Sequence, residues 1–435
     1  MNKNIKLAVA GAVLALSASA NAGIVIPAGD WTLDIGGNVN AYSVWTKQDT
    51  NSAGAPIKGG LTALSNSSGN RTQNNMTTGL LPNFLSVSGS TRQNDLDVAF
   101  TISLQPGTSN SGPLQGATGG YCASCTNQNN RQAFLTFGDK SWGTVKIGKD
   151  LGVFASDAIL SDMTLLGVGA STGAGGNTTL GRIGAGYIYA DWKPQISYTT
   201  PNFNGFQATA ALTQAWNQTE GAENSLVTVA RGGASTAYEG KASYSFAAND
   251  VTGKIWVSGI AQKVDPSGVS HTSKSGKVTS VDGVTLDDTT VYGGDIGANV
   301  NVAGVSLTGY YYSGSGLGTT GQMLSGYYIA AQTGKTSVNR SAYQRDSDGG
   351  YVQATYVLPT KTKLGVSWGI SNLDKADTEV TTNLVKENEM WVAGLYHPLT
   401  KHLNLVAEYS YLRSENHGGA EDKAYSGSLG AILFF

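Results

Sequence analysis

Few residue groupings in this chain have the spacing that chemistry demands. Cys122-Ala123-Ser124-Cys125 has the separation of a thiol redox pair, and these are the only two cysteines among 435 residues. A catalytic pair needs a helix start that lowers the thiol pKa. This one lies in a Gly/Asn/Ser-rich stretch with no histidine nearby, which also argues against a zinc site. Gly169-Ala170-Ser171-Thr172-Gly173-Ala174-Gly175-Gly176 resembles a phosphate loop but lacks a Gly-Lys-Ser/Thr ending and a following helix. The four histidines, His271, His397, His402 and His417, show no metal spacing and no Ser/Asp partners. Asn66-Ser67-Ser68 and Asn70-Arg71-Thr72 are glycosylation sequons by pattern only. The residues therefore give no expectation of an enzyme, a resident cofactor or a metal.

With no catalytic set to position, the elements themselves become informative, beginning with the two ends. In the last twelve residues Tyr425, Leu429, Ala431, Leu433 and Phe435 share one parity, with Ser426, Ser428 and Gly430 opposite until Ile432 and Phe434. A soluble domain seldom ends on an apolar strand, because an unpaired edge remains. A closed membrane barrel uses such a strand to seal against its first. The ending resembles the terminal strand of Gram-negative outer-membrane proteins, which implies recognition of the final Phe by the barrel-assembly machinery. At the other end Lys3 and Lys6 precede an apolar run, Leu7 to Leu16, and an Ala20-x-Ala22 site. That is a signal peptide, residues 1–22, cut before Gly23. Its removal takes the formal charge from −2 to about −4, since no acid lies within it.

Composition and periodicity agree. Charged residues make up 13% of the chain, while Gly numbers 58 and Tyr 20. After the signal no segment approaches the roughly 20 apolar residues of a spanning helix. Leu96, Val98, Phe100, Ile102 and Leu104 interleave with Asp97, Ala99, Thr101, Ser103 and Gln105, a period of two. Similar alternation runs through 31–45, 238–246, 351–358, 364–370 and, less cleanly, 403–412, where Val406 and Leu412 share a face with Asn404 and Glu408. Short turns fall at Gln93-Asn94, Asp139 to Ser141, Pro201 to Gly205, Asn249-Asp250, Ala303-Gly304, Pro359-Thr360 and Pro398 to Thr400. Between them lie long polar stretches: 49–78, 107–130, 151–190, 217–236, 264–288, 316–348, 373–386 and 413–422. Short turns on one rim and long loops on the other predict one all-β domain, 23–435: a transmembrane antiparallel barrel of about 16 strands. A count of about 18 is the alternative, with an extra strand in 182–200. Such a lumen holds water. Trp31, Trp45, Tyr311, Tyr356, Tyr396, Tyr409 and Tyr411 fall near strand ends, where interfacial rings settle. No basic-aromatic patch suggests nucleic acid.

One block carries a family resemblance. It reads Arg131-Gln132-Ala133-Phe134-Leu135-Thr136-Phe137-Gly138, then Trp142-Gly143-Thr144-Val145-Lys146-Ile147-Gly148-Lys149, followed by Leu151 to Phe154, Ser161-Asp162-Met163, Gly181-Arg182-Ile183-Gly184 and Tyr198 to Phe206. It resembles the general diffusion porins of Gram-negative outer membranes. The resemblance implies passive diffusion of ions and small hydrophilic solutes through a homotrimer in the outer membrane, among lipopolysaccharide and outer-membrane lipid. It also implies that the third loop, within 151–190, folds into the lumen as an eyelet. There Asp162, with Asp157 as a second acid, would face the basic residues Arg131, Lys149 and Arg182. Opposed charges in a low-dielectric constriction give a strong transverse field.

The departures are specific. Phe84 stands where the family often has a basic residue, and Lys149 replaces the usual Arg with a point charge. The interval between Arg182 and Tyr198 is long, so Lys193 is an alternative to Arg182. In an oxidising periplasm Cys122 and Cys125 suit a disulfide stapling the second outer loop, which in the family often leans on a neighbouring subunit. A substrate-selective channel stays open as a reading. A surface adhesin or β-solenoid would need a fixed repeat length, and none is found. A barrel enzyme would need a Ser/His/acid set at the outer rim, whereas His397 and His402 flank a short turn.

Overall fold

The alternating segments become the wall of a closed antiparallel barrel of sixteen strands. The computed structural model describes residues 23–50, 57–62, 72–108, 128–171, 178–215, 220–221, 228–229, 236–264, 269–272, 278–280, 289–329, 342–377 and 379–435. The predicted signal peptide, Cys122, Cys125, Asn66, Asn70 and residues 172–176 of the Gly-rich stretch lie outside these. The first eight wall strands are β1 (Trp31–Thr50), β2 (Phe84–Gln93), β3 (Leu96–Pro106), β4 (Ala133–Asp139), β5 (Gly143–Leu151), β6 (Trp192–Thr199), β7 (Phe206–Gln214) and β8 (Thr236–Ala248). The rest are β9 (Val251–Val264), β10 (Thr289–Val302), β11 (Val305–Ser315), β12 (Asp346–Val357), β13 (Lys363–Leu373), β14 (Val385–Pro398), β15 (Leu403–Asn416) and β16 (Glu421–Phe434).

Each strand pairs with the next, and β16 closes on β1 from Asn38↔Phe434 to Thr50↔Asp422. A short lead strand, Ile24–Ala28, continues that edge beside Trp31 to Ile35. Where the two meet, the Gly37 N–H donates to the Phe435 carbonyl (2.8 Å) and the Phe435 N–H donates back to Gly37 (3.0 Å). No backbone edge is left open at this seam, as a lipid surround requires. The residues expected to form the terminal signature follow the pattern, with Leu429 and Leu433 exposed on the outside and Ile432 and Phe434 buried inside.

The distribution of polarity is inverted relative to a water-soluble fold. Ile102, Leu135, Ile196, Ile296 and Val366 are exposed on the outer surface, while Gln105, Gln195, Thr213, Gln262 and Ser410 are buried within. All seven expected short turns join strands, and Asn94-Asp95 and Ala303-Gly304 take positive φ at both central positions. That matches the twist of a tight hairpin. Two expectations change. The 182–200 region contributes only β6, which settles the count at sixteen. The stretch 413–422 is not a long loop: β15 and β16 run through it, their ladder continuing from Arg413↔Lys423 to Glu415↔Glu421, and Arg413 is ion-paired to Glu387, Glu389, Glu415 and Glu421 across the three strands β14–β16. Ladder hydrogen bonds and paired charges hold a segment whose composition alone reads as loop.

The apolar core is the contact between the inner wall and the chain running from β5 to β6. Phe154, Ala158, Tyr187 and Ile188 of that segment cluster with Trp256, Tyr310, Tyr312 and Tyr351 of the wall. Residues 152–171 and 178–191 thus lie inside the barrel, carrying one short helix, α1 (Ser156–Ser161), and a 3-10 turn, Met163–Leu166.

Candidate functional site

The inserted segment, described over 152–171 and 178–191, crosses the lumen, and the far wall, β8 to β15, grips its backbone at successive points. Glu239 of β8 accepts the N–H groups of Val153 (2.7 Å) and Phe154 (2.8 Å), while also pairing with Lys193. Glu408 of β15 accepts the N–H groups of Val168 (2.7 Å) and Gly169 (2.9 Å) and the Tyr396 hydroxyl (2.6 Å). Between these clamps Gln353 of β12 accepts from Met163 N–H (2.7 Å) and donates to the Ser161 carbonyl (3.0 Å). The Tyr351 hydroxyl donates to the Ala158 carbonyl at 2.8 Å. Loop amides that would otherwise be orphaned in a crowded interior are satisfied by these wall side chains. At Gly167 the backbone lies so close to the Glu408 carboxylate that any Cβ would collide with it.

The near wall is different. Between the segment and strands β1 to β6 lies a cavity of about 750 Å³. The segment lines it with Ile159, Leu160, Leu165, Leu180, Ile183 and Tyr189. The wall contributes Phe84, Phe134 and Trp192 together with Ser86, Ser88, Thr101 and Gln105. Its charged lining residues are Asp34, Arg131, Lys149 and Asp191. Among the described residues no cluster of His, Cys, Asp and Glu is placed to hold a metal ion.

A closed barrel with an inserted, anchored segment beside an open cavity is the setting for the sequence comparison. The profile of the Gram-negative porin family matches residues 7–417. The chain belongs to that family. It is an outer-membrane porin, a channel for passive diffusion. A search of curated proteins finds no match to this porin. Among solved structures, the outer membrane channel DcaP of Acinetobacter baumannii shares 14% identity at a TM-score of 0.63, with 94% of this chain and 99% of that one covered. An anion-selective porin from Comamonas acidovorans is 13% identical at a TM-score of 0.55, covering 93% of this chain and 100% of that one. Salmonella typhi OmpF in complex with daunomycin is 12% identical at 0.54, covering 94% and 100%. At these identities the likeness is one of fold.

The expected eyelet residues of this porin separate into two groups. Asp162 is buried and caps the 3-10 turn: its carboxylate accepts the Thr164 N–H (2.9 Å), the Thr164 hydroxyl (2.7 Å) and the Tyr187 hydroxyl (2.9 Å). Asp157 is buried and pairs with Lys241 (3.0 Å) and with Lys254, both on the far wall. Burial alone would raise its pKa, but the two ammonium groups outweigh burial and hold it below the ordinary 3.8. Arg182 is buried, its Nη1 donating to the Met390 carbonyl (3.2 Å) with the guanidinium 5.9 Å from the Tyr351 ring centroid. Burial lowers its pKa despite the pull of Asp162. Lys193 pairs with Glu239 and donates to the Gln322 side chain at 3.0 Å. Asp157 and Arg182 thus join the segment to the far wall and Asp162 ties it to itself, while Lys193, on β6, meets the Glu239 clamp; the four do not face one another across the cavity.

Arg131 and Lys149 border the cavity. The Arg131 guanidinium lies 5.9 Å from the Trp192 ring centroid. Lys149 stands opposite Ala133 and Pro194 in the register, near the outer end of β5, and its Nζ donates to the Asn130 carbonyl at 2.9 Å. Phe84, the departure from the family's basic pattern, lines the cavity as an apolar group. Sequence reasoning missed Glu239, Lys241, Lys254, Gln353 and Glu408. A signal existed: Glu239, Lys241 and Glu408 are charged residues inside membrane-length strands, where a charge is costly unless it faces the interior and finds a partner.

Proposed function

We propose that this porin is a homotrimeric general channel in which ions and small hydrophilic solutes pass between the inserted segment and strands β1 to β6. The observation that carries the reading is the cavity of about 750 Å³ on one side of a segment fixed on the other. A segment anchored through both termini and its middle narrows the lumen without sealing it. Arg131, Lys149, Asp34 and Asp191 would set the charge along the path, while Asp157, Asp162, Arg182 and Lys193 hold the segment in place. The trimer is supported by the likeness to OmpT of Vibrio cholerae, determined in a trimer form, at 14% identity and a TM-score of 0.51. Export with cleavage before Gly23, assembly through the terminal strand ending in Phe435, a Cys122–Cys125 disulfide, and contact with lipopolysaccharide belong to the same proposal.

Single-channel recording in planar bilayers tests it. Current steps grouped in threes with a defined reversal potential are expected in a salt gradient. Folded protein that leaves the bilayer silent would overturn the open-channel reading, and solitary steps would overturn the trimer. A substrate-selective channel is the second reading, favoured by the apolar lining of the cavity.

A further inference from the structure

A path built only for ions would present water and charge, because apolar walls at close quarters resist wetting. The cavity in this porin is instead largely apolar. Ile159, Leu180 and Ile183 of the inserted segment and Phe134 and Trp192 of the wall border the same space, with one guanidinium, Arg131, over the indole. Apolar walls with a few polar anchors are the composition of a small-molecule site, and about 750 Å³ lies within the usual size range for one.

We propose that this cavity contains a binding subsite for small aromatic carboxylates, with the ring between Trp192 and the Leu180/Ile183 face and the carboxylate on Arg131. The subsite rests on the channel reading above and names its solute class. The aromatic preference follows from the wall, since rings stack on indole and phenyl faces while an alkyl chain gains area alone. The preference for an anion follows from where the charges sit. Both wall rings carry a cation: Arg131 at Trp192, and Lys146, whose Nζ lies 4.8 Å from the Phe134 centroid. The nearby acids are engaged by their own chain neighbours: Asp191 accepts the Trp192 N–H at 2.7 Å, and Asp150 pairs with Lys146. Asp34 lines the cavity beside Gly23 and Gly36 at the lead-strand seam. A guanidinium has five N–H donors in a planar fork, so Arg131 can keep its protein contacts and still present an edge to a carboxylate.

The test uses the full mature porin in planar bilayers, with potassium chloride conductance recorded first. Benzoate, hexanoate, acetate and benzylammonium are then titrated on one side. Saturable interruptions of the current are expected for benzoate at concentrations about tenfold below those for acetate or hexanoate, a ratio typical of apolar pocket contacts. Benzylammonium should not interrupt the current in that range. Arg131→Gln and, separately, Ile183→Ser should each weaken the benzoate effect about tenfold while chloride current persists, as loss of one charged or apolar contact predicts. Benzoate no more effective than acetate, with chloride current intact, would overturn the subsite and leave the channel reading standing. Equal block by benzylammonium would overturn the carboxylate preference, and unchanged block in both variants would overturn the location. A folded protein with no chloride current would remove the channel reading and the subsite together.

Discussion

The two sides of the inserted segment follow opposite rules. Towards β8 to β15 it presents backbone amides and Asp157 to Glu239, Glu408, Gln353, Lys241 and Lys254. Towards β1 to β6 it presents Ile159, Leu180 and Ile183 to an open cavity. In the expected eyelet the loop's acids face the path. Here neither Asp157 nor Asp162 lines the cavity, and the segment's side of that cavity is mostly hydrocarbon. An acidic residue on such a loop is therefore insufficient evidence of a transverse field: the same carboxylate can serve as an anchor, and only its partners distinguish the roles.

Breaking the anchored side should have the largest effects. Glu239→Ala leaves Lys193 buried without its carboxylate and orphans two amides, so a loss of about 3–5 kcal/mol is expected. Thermal melting in detergent should fall sharply, and any surviving channels should be wider and noisier. Glu408→Gln keeps the volume but weakens three accepted hydrogen bonds, which predicts about 1–3 kcal/mol and flickering current without loss of the barrel. If both variants melted and conducted like the parent, the contrast between the two sides would be wrong.

Asp157 sharpens the comparison through pH. Its folded pKa lies below the ordinary 3.8, so its stabilising effect is complete above that value and is lost as pH falls through the lower, folded one. Conductance between neutral pH and pH ~5 should be unaffected by this group. Asp157→Asn should erase whatever acid transition it contributes below its ordinary pKa. Asp162→Asn should move the reversal potential less than Arg131→Gln does, because its carboxylate is enclosed by Thr164 and Tyr187. Its cost, about 1 kcal/mol as for loss of a helix cap, should appear as segment mobility. A larger reversal shift for Asp162→Asn would restore the facing-charge eyelet. The smallest effect belongs far from both sides: Arg413→Ala, in a partly exposed network at the outer rim, should change stability by at most about 1 kcal/mol.

The wall was readable in the sequence because membrane strands repeat one rule, and a residue such as Ile102 shows its orientation through its immediate neighbours. The seven short turns were readable for the same local reason. The 413–422 strands were not, since Arg413 meets Glu387 and Glu421 only after three strands are in register. The site was half legible. The position of the inserted segment came with the family block at 131–205, but the direction Asp157 faces depends on Lys241 and Lys254, two strands of ordinary alternation away. A charge on the inward parity of a strand, as at Glu239 and Glu408, was the available clue. Reading it required asking what such a residue would bind.

The seam between β16 and β1 bears on the order of events in assembly. Thr46 and Ser426, 380 positions apart, are hydrogen-bonded across it at 2.9 Å, and the Phe435 carbonyl holds the Gly37 amide. The first wall strand to leave the translocation machinery must therefore wait for the last before its edge is covered. Throughout that interval both terminal strands offer unpaired amides to any other chain, the condition under which β-proteins aggregate or exchange strands. Contacts of such sequence separation also form slowly. Survival in transit then depends on whatever shields the two edges until they meet, and a variant that slows closure should fail by capture or degradation before any deficit in the finished barrel can be measured.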